Sequence, residues 1–170
     1  MTVNCPSEAT AHAFADHFDR REFAVPNAGA VELLVAVEHV ESGWECPIIP
    51  YVWETHGGVP RKVLLNKETE DIDACAKVLY ERLGRLYNYR FALTGFEVGD
   101  WRSAGALVDD LSPGGLYEEQ HIKQKLKNWN GLVISEALWE TANMPDGFVP
   151  FGAQASGYFW VPYTTIEDSR

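Results

Sequence analysis

Apolar and polar residues recur along this chain with two different periods, and the periods divide it into helices and strands. Ala11, Phe14, Ala15 and Phe18 fall at helical spacing behind Pro6-Ser7-Glu8, where Ser7 is placed to cap the first turn, so a helix is predicted to about Arg21. Pro26-Asn27-Ala28-Gly29 then breaks the chain. Val31, Leu33, Val35 and Val37 alternate as one face of a strand, with Glu32 and Glu38 on the other. Glu41-Ser42-Gly43 reads as a turn into a second strand near Pro47 to Thr55, whose prolines suit an edge or a bulge better than a sheet centre. His56-Gly57-Gly58 is a further turn, and Arg61 to Leu65 a third strand.

Beyond Asn66-Lys67-Glu68, Thr69 is a cap, Glu70, Asp71 and Asp73 suit the positive end of a helix dipole, and Ile72, Cys75, Ala76, Leu79, Leu83 and Leu86 form one stripe. Tyr89 to Val98 reads as a strand and Ser103 to Leu111 as a short helix. Ser112-Pro113-Gly114-Gly115 is the strongest break, taken as a loop within one domain because only residues 116–170 follow. Leu116 to Trp129 is predicted helical and ends at Asn130-Gly131. A strand from Leu132, a turn at Met144-Pro145-Asp146-Gly147 and a terminal hairpin through Phe151 and Tyr158 to Ile166 complete the reading. The expected fold is α+β, a mainly antiparallel sheet of about five to seven strands with three or four helices packed on it, in a single domain spanning 1–170.

Composition supports a packed core: 46% of residues are hydrophobic and 12% aromatic, far from a disordered profile. A 170-residue chain buries roughly 70% of its unfolded surface, so neither metal nor disulfide is required to hold it. Cys5, Cys46 and Cys75 are odd in number and show no C-x-x-C spacing, which points to free thiols and a cytoplasmic setting. Apolar runs such as Val31 to Val37 fall well short of the ~20 residues that span a bilayer, and the first residues lack a basic and apolar leader.

Charge changes the picture most. The net charge is −11, which argues against direct contact with nucleic acid or an anionic membrane. Residues 1–60 hold nine Asp or Glu against two Arg, a net of −7; residues 61–115 hold nine against eight, and residues 116–170 seven against four. The first third therefore carries most of the imbalance. Duplex DNA about 40 Å long, the length of such a domain, displays roughly 24 charges. This chain has 25 acids offset by 14 bases, so a local acidic patch fits it better than wholesale mimicry of DNA.

Candidate chemistry is sparse. His12 and Asp16 stand at i and i+4 but lack a third ligand. Cys46 and His56 are a thiol and an imidazole, yet a strand between them holds their Cα atoms roughly 33 Å apart. Gly57-Gly58 and Gly114-Gly115 lack the lysine and spacing of a phosphate loop. Lys123, Lys125 and Lys127 beside Trp129 are too few for useful phosphate affinity, and Asp109-Asp110 with Glu118-Glu119 lack the alternation of a calcium loop. Six tryptophans suit a core and also a binding surface.

Three functional classes follow. The first is an acidic protein-binding module, of the inhibitor or immunity type, that docks on a basic, nucleic-acid-handling protein, with Glu38, Glu41, Trp44, Glu45 and Glu54 as its interface. The second is a small enzyme or ligand-binding domain with a Trp- and Tyr-lined pocket, for which His39, Cys46, Glu54 and His56 are the available polar groups. The third is a structural subunit joined through the terminal aromatic hairpin. The first is preferred. It calls for no cofactor, no metal and no catalytic residue, and leaves the oligomeric state open.

Overall fold

The first strand, β1 (Thr2–Cys5), lies in the middle of the sheet and is buried along its whole length. The computed structural model describes residues 1–19, 22–25, 29–41, 43–56, 59–64, 71–94, 103–122, 129–152 and 157–163, of which 25, 29, 52–56, 59–64, 71–72 and 121–122 are described by their backbone alone. After β1 come α1 (Glu8–Phe18), β2 (Glu22–Val25), β3 (Gly29–Val35), β4 (Glu38–Val40), β5 (Gly43–His56), β6 (Val59–Leu64) and α2 (Asp71–Leu83). The second part of the chain adds β7 (Phe91–Leu93), α3 (Ala104–Leu111), α4 (Leu116–Ile122), β8 (Val133–Ser135), α5 (Glu136–Thr141), β9 (Val149–Pro150) and β10 (Tyr158–Trp160). Serine caps recur: Ser7, Ser103 and Ser135 accept the Thr10, Ala106 and Leu138 N–H groups at the starts of α1, α3 and α5.

One sheet runs in the order β2-β3-β5-β1-β7-β8-β10-β9, with β4 and β6 also paired to β5, and the pairings described are antiparallel. Strand β5 is its hub. One of its edges meets β1 at 44–47 and β6 at 51–56; the other meets β4 at 43–45 and β3 at 48–52. β3 and β4 share one register, so they form a single hairpin arm interrupted at Ala36-Val37.

Breaks in the partner strands on both edges of β5 explain how two prolines sit in the centre of a sheet. Ile48 exchanges both backbone bonds with Met1, its N–H donating at 2.7 Å and its carbonyl accepting at 2.9 Å, so even-numbered residues of β5 aim their polar groups at the β1 edge. The Pro47 carbonyl accepts from the Ala36 N–H on the opposite edge. The Pro47 nitrogen therefore faces the break between β3 and β4, and the Pro50 nitrogen faces the break between β1 and β6. Neither position needs an N–H there.

Helices cover the sheet on two faces. On the first face α1 and α2 bury Phe14, Phe18, Leu79 and Leu83 against Val3, Cys46, Ile48, Leu33 and Val133. On the second, α3, α4 and α5 bury Leu107, Leu111, Tyr117 and Leu138 against Phe91, Leu93, Ile134 and Phe159. Gly131 joins the layers at φ +79°, where the Tyr80 hydroxyl fills the space a Cβ would take and donates to the Gly131 carbonyl at 2.7 Å.

The α+β class and the mainly antiparallel sheet agree with the patterning, but the counts do not. Among the described residues the sheet has ten strands, or nine with β3 and β4 taken as one, in place of five to seven, and there are five helices in place of three or four. β1, β2 and α5 are the additions. β5 is a central strand, not an edge, for the reason its prolines give. Thr69 and Glu70, the end of the predicted Tyr89–Val98 strand, Lys123, Lys125 and Lys127, and Ile166 lie outside the described residues. No described helix is long and apolar enough to cross a membrane.

Candidate functional site

Register places the first third's acids with unusual economy. Glu38 opposes Glu45 across β4 and β5, Glu45 opposes Asn4, and Asn4 opposes Phe91, so these positions share the second face of the sheet. Farther out on that face Glu22 opposes Glu32, Glu32 opposes Tyr51, and Leu34 opposes Ile49. Two directly opposed carboxylate pairs thus flank an apolar strip. Leu34 is 44% exposed, and Ile49 and Tyr51 are half-buried beside it. The first-face positions of the same strands, Val31, Leu33 and Ile48, are fully buried.

The five residues singled out from sequence do not form one patch. Glu38 and Glu41 are exposed at the β4–β5 hairpin. Trp44 points to the other face, half-buried against the first core, with its ring 4.8 Å from that of His39. Glu45 is only 3% exposed, on the same face as buried Thr2 and Asn4, and so contributes no exposed surface. Glu54 stands on β5 opposite Arg61, and its side chain lies outside the described residues. Sequence reasoning missed Glu22, Leu34, Ile49 and Tyr51. The signal was present in the doublets Leu33-Leu34 and Ile48-Ile49, since two adjacent apolar residues in a strand put one on each face.

The enzymatic candidates fare differently. Cys46 and His56 occupy one unbroken strand, which keeps them apart, and burial pushes the Cys46 thiol up to about 12. Among the described residues no three His, Cys, Asp or Glu converge as a metal site, and His12 lies 3.8 Å from Glu8 on an exposed helix face. Several aromatic rings pack on one another: Trp139 stacks on Phe159 at 4.1 Å, and Tyr117 meets Trp129 edge-on at 5.3 Å.

A cleft of about 250 Å³ opens between α3, α4 and the segment after α5, lined by Leu111, Tyr117, Ala142, Met144, Pro145 and Asp146. Two of its polar side chains bond to the backbone. The Tyr117 hydroxyl donates to the Asp146 carbonyl at 2.8 Å, and Glu118 accepts from the Gly114 N–H. The positive φ values of Asn143 and Met144 belong to the end of α5, where the Met144 N–H closes on the Trp139 carbonyl and the Asn143 N–H on that of Glu140.

No family model, curated protein or solved structure matches this chain.

Proposed function

We propose that this chain is a protein-binding module, of the inhibitor or immunity type, whose open sheet face docks on a basic protein. The observation that carries the reading is the placing of carboxylates around exposed apolar surface: Glu22 opposite Glu32 on one side and the exposed Glu38 on the other, flanking Leu34. Like charges opposed across strands raise the local negative potential, which attracts a cationic surface and repels phosphate. The apolar strip gives such a partner area to bury, while the rim charges set the rate of association and its salt dependence.

The test is capture at low ionic strength from lysate of the source cells, followed by purification of the captured protein. The expected partner is basic and dissociates at high salt. Binding to the Glu38→Lys/Glu41→Lys variant should fall on the order of ten-fold and lose most of its salt dependence. Unchanged affinity and salt slope in that variant would remove the acidic face from the interface.

A further inference from the structure

Among the described residues, helices cover three of the sheet's four quadrants. On the first face α1 packs on β1, β3 and β5, α2 lies beside β2, and their shared core extends to Val133 on β8 and Tyr158 on β10. On the second face α3, α4 and α5 cover β7, β8 and β10. Among the described residues no helix covers the second face of β2, β3 and the outer half of β5, where Ala24, Ala30 and Leu34 are exposed. A sheet face with apolar positions is ordinarily buried by a packed layer, and in this fold that layer is helical elsewhere.

We infer that the occupant of this quadrant is an amphipathic helix of the partner, apolar along its centre and carrying Lys or Arg toward both ends. This deepens the docking role proposed above and rests on it. The charge pattern fixes the polarity of the helix surface. Glu32 and Glu38 are six residues apart on one edge of β5, a span of about 20 Å. Between them on the same face stand Leu34 and Ile49. A helix rising 1.5 Å per residue covers that span in about 13 residues, so cations at its two ends meet Glu22 with Glu32 at one end and the exposed Glu38 at the other while its middle turns pack on Leu34. The match is apolar to apolar in the centre and cation to carboxylate at each end.

The probe is a labelled helical peptide of about 18 residues, with leucines on one stripe and lysines confined to its two ends, titrated by fluorescence anisotropy. Its control has the same composition with the lysines moved to the centre. The end-charged peptide is expected to bind at least ten-fold more tightly. Leu34→Asp adds negative charge, so purely electrostatic attraction would strengthen; seating on the apolar strip instead requires affinity to drop at least ten-fold. Leu34→Thr, which keeps a strand-forming residue, should give a smaller loss in the same direction, and circular dichroism checks that both variants are folded. Equal binding of the two peptides, or unchanged or tighter binding by Leu34→Asp, overturns the helix. In that case capture of a basic protein sensitive to Glu38→Lys/Glu41→Lys would leave the general docking role standing. Binding of neither peptide together with no effect of those substitutions removes both.

Discussion

At the scale of single residues, the three cysteines separate packing from chemistry. Cys5, Cys46 and Cys75 are all free and all buried, and desolvation raises their thiols to about 12, about 12 and about 11. For Cys5 the Arg90 charge opposes that rise without cancelling it. A thiol held above its ordinary value near 9 binds its proton more tightly folded than unfolded, so its contribution to stability is whole below pH 9 and is lost as pH climbs toward the folded value. Two outcomes are expected. Iodoacetamide at pH 8 should leave the native protein unlabelled and modify all three cysteines once urea unfolds it, as read by mass spectrometry. The melting temperature should fall between pH 8.5 and pH 11; a flat profile there, or rapid native labelling, would contradict the burial of these thiols.

At the scale of elements, β5 shows why a rule about proline needs to know its neighbours. The Ile48 N–H donates to Met1 at 2.7 Å, whereas the nitrogens of Pro47 and Pro50 face breaks between partner strands. Pro50→Ala should therefore change stability by less than about 1 kcal/mol, while Ile48→Pro, which removes a ladder bond and a buried side chain, should cost about 3 kcal/mol or more. Urea midpoints of the two variants check this, and comparable losses would refute the assigned edges. The same strand marks where sequence reading stopped. Alternation at Val31, Leu33 and Val35 and the stripe of α2 were legible because each repeats its period several times. β1 has four residues and α5 six, too short to display a period, although Ser135 is a usable cap signal. Glu45 alternates with buried Cys46 and so reads as an outward acid; it is buried instead, like Asn4 opposite it on β1, a pairing of residues 41 positions apart that no local pattern contains.

At the scale of the whole molecule, net charge acquires a direction. An excess of −11 spread evenly would serve solubility alone, but the fold places Glu22, Glu32 and Glu38 on one face of one half of the sheet, with Glu22 and Glu32 directly opposed. Opposed like charges are unfavourable across strands, and exchanging one such pair for opposite charges is worth about 0.2–1 kcal/mol. Glu22 is exposed on β2 and directly faces Glu32. Glu22→Lys should therefore raise stability by about 0.5 kcal/mol at low salt, with the gain shrinking as salt screens it. If the face exists to receive a cationic partner, the same change must weaken binding, because it places a repulsive charge where the partner's own cation arrives. Chemical denaturation and affinity measured on one preparation decide the matter. A variant that is more stable and binds less well is the signature of acids kept for docking at a cost to the fold. A variant that is more stable and binds unchanged would show that Glu22 lies outside the interface, and would confine the docking charge to the Glu38 end of the face.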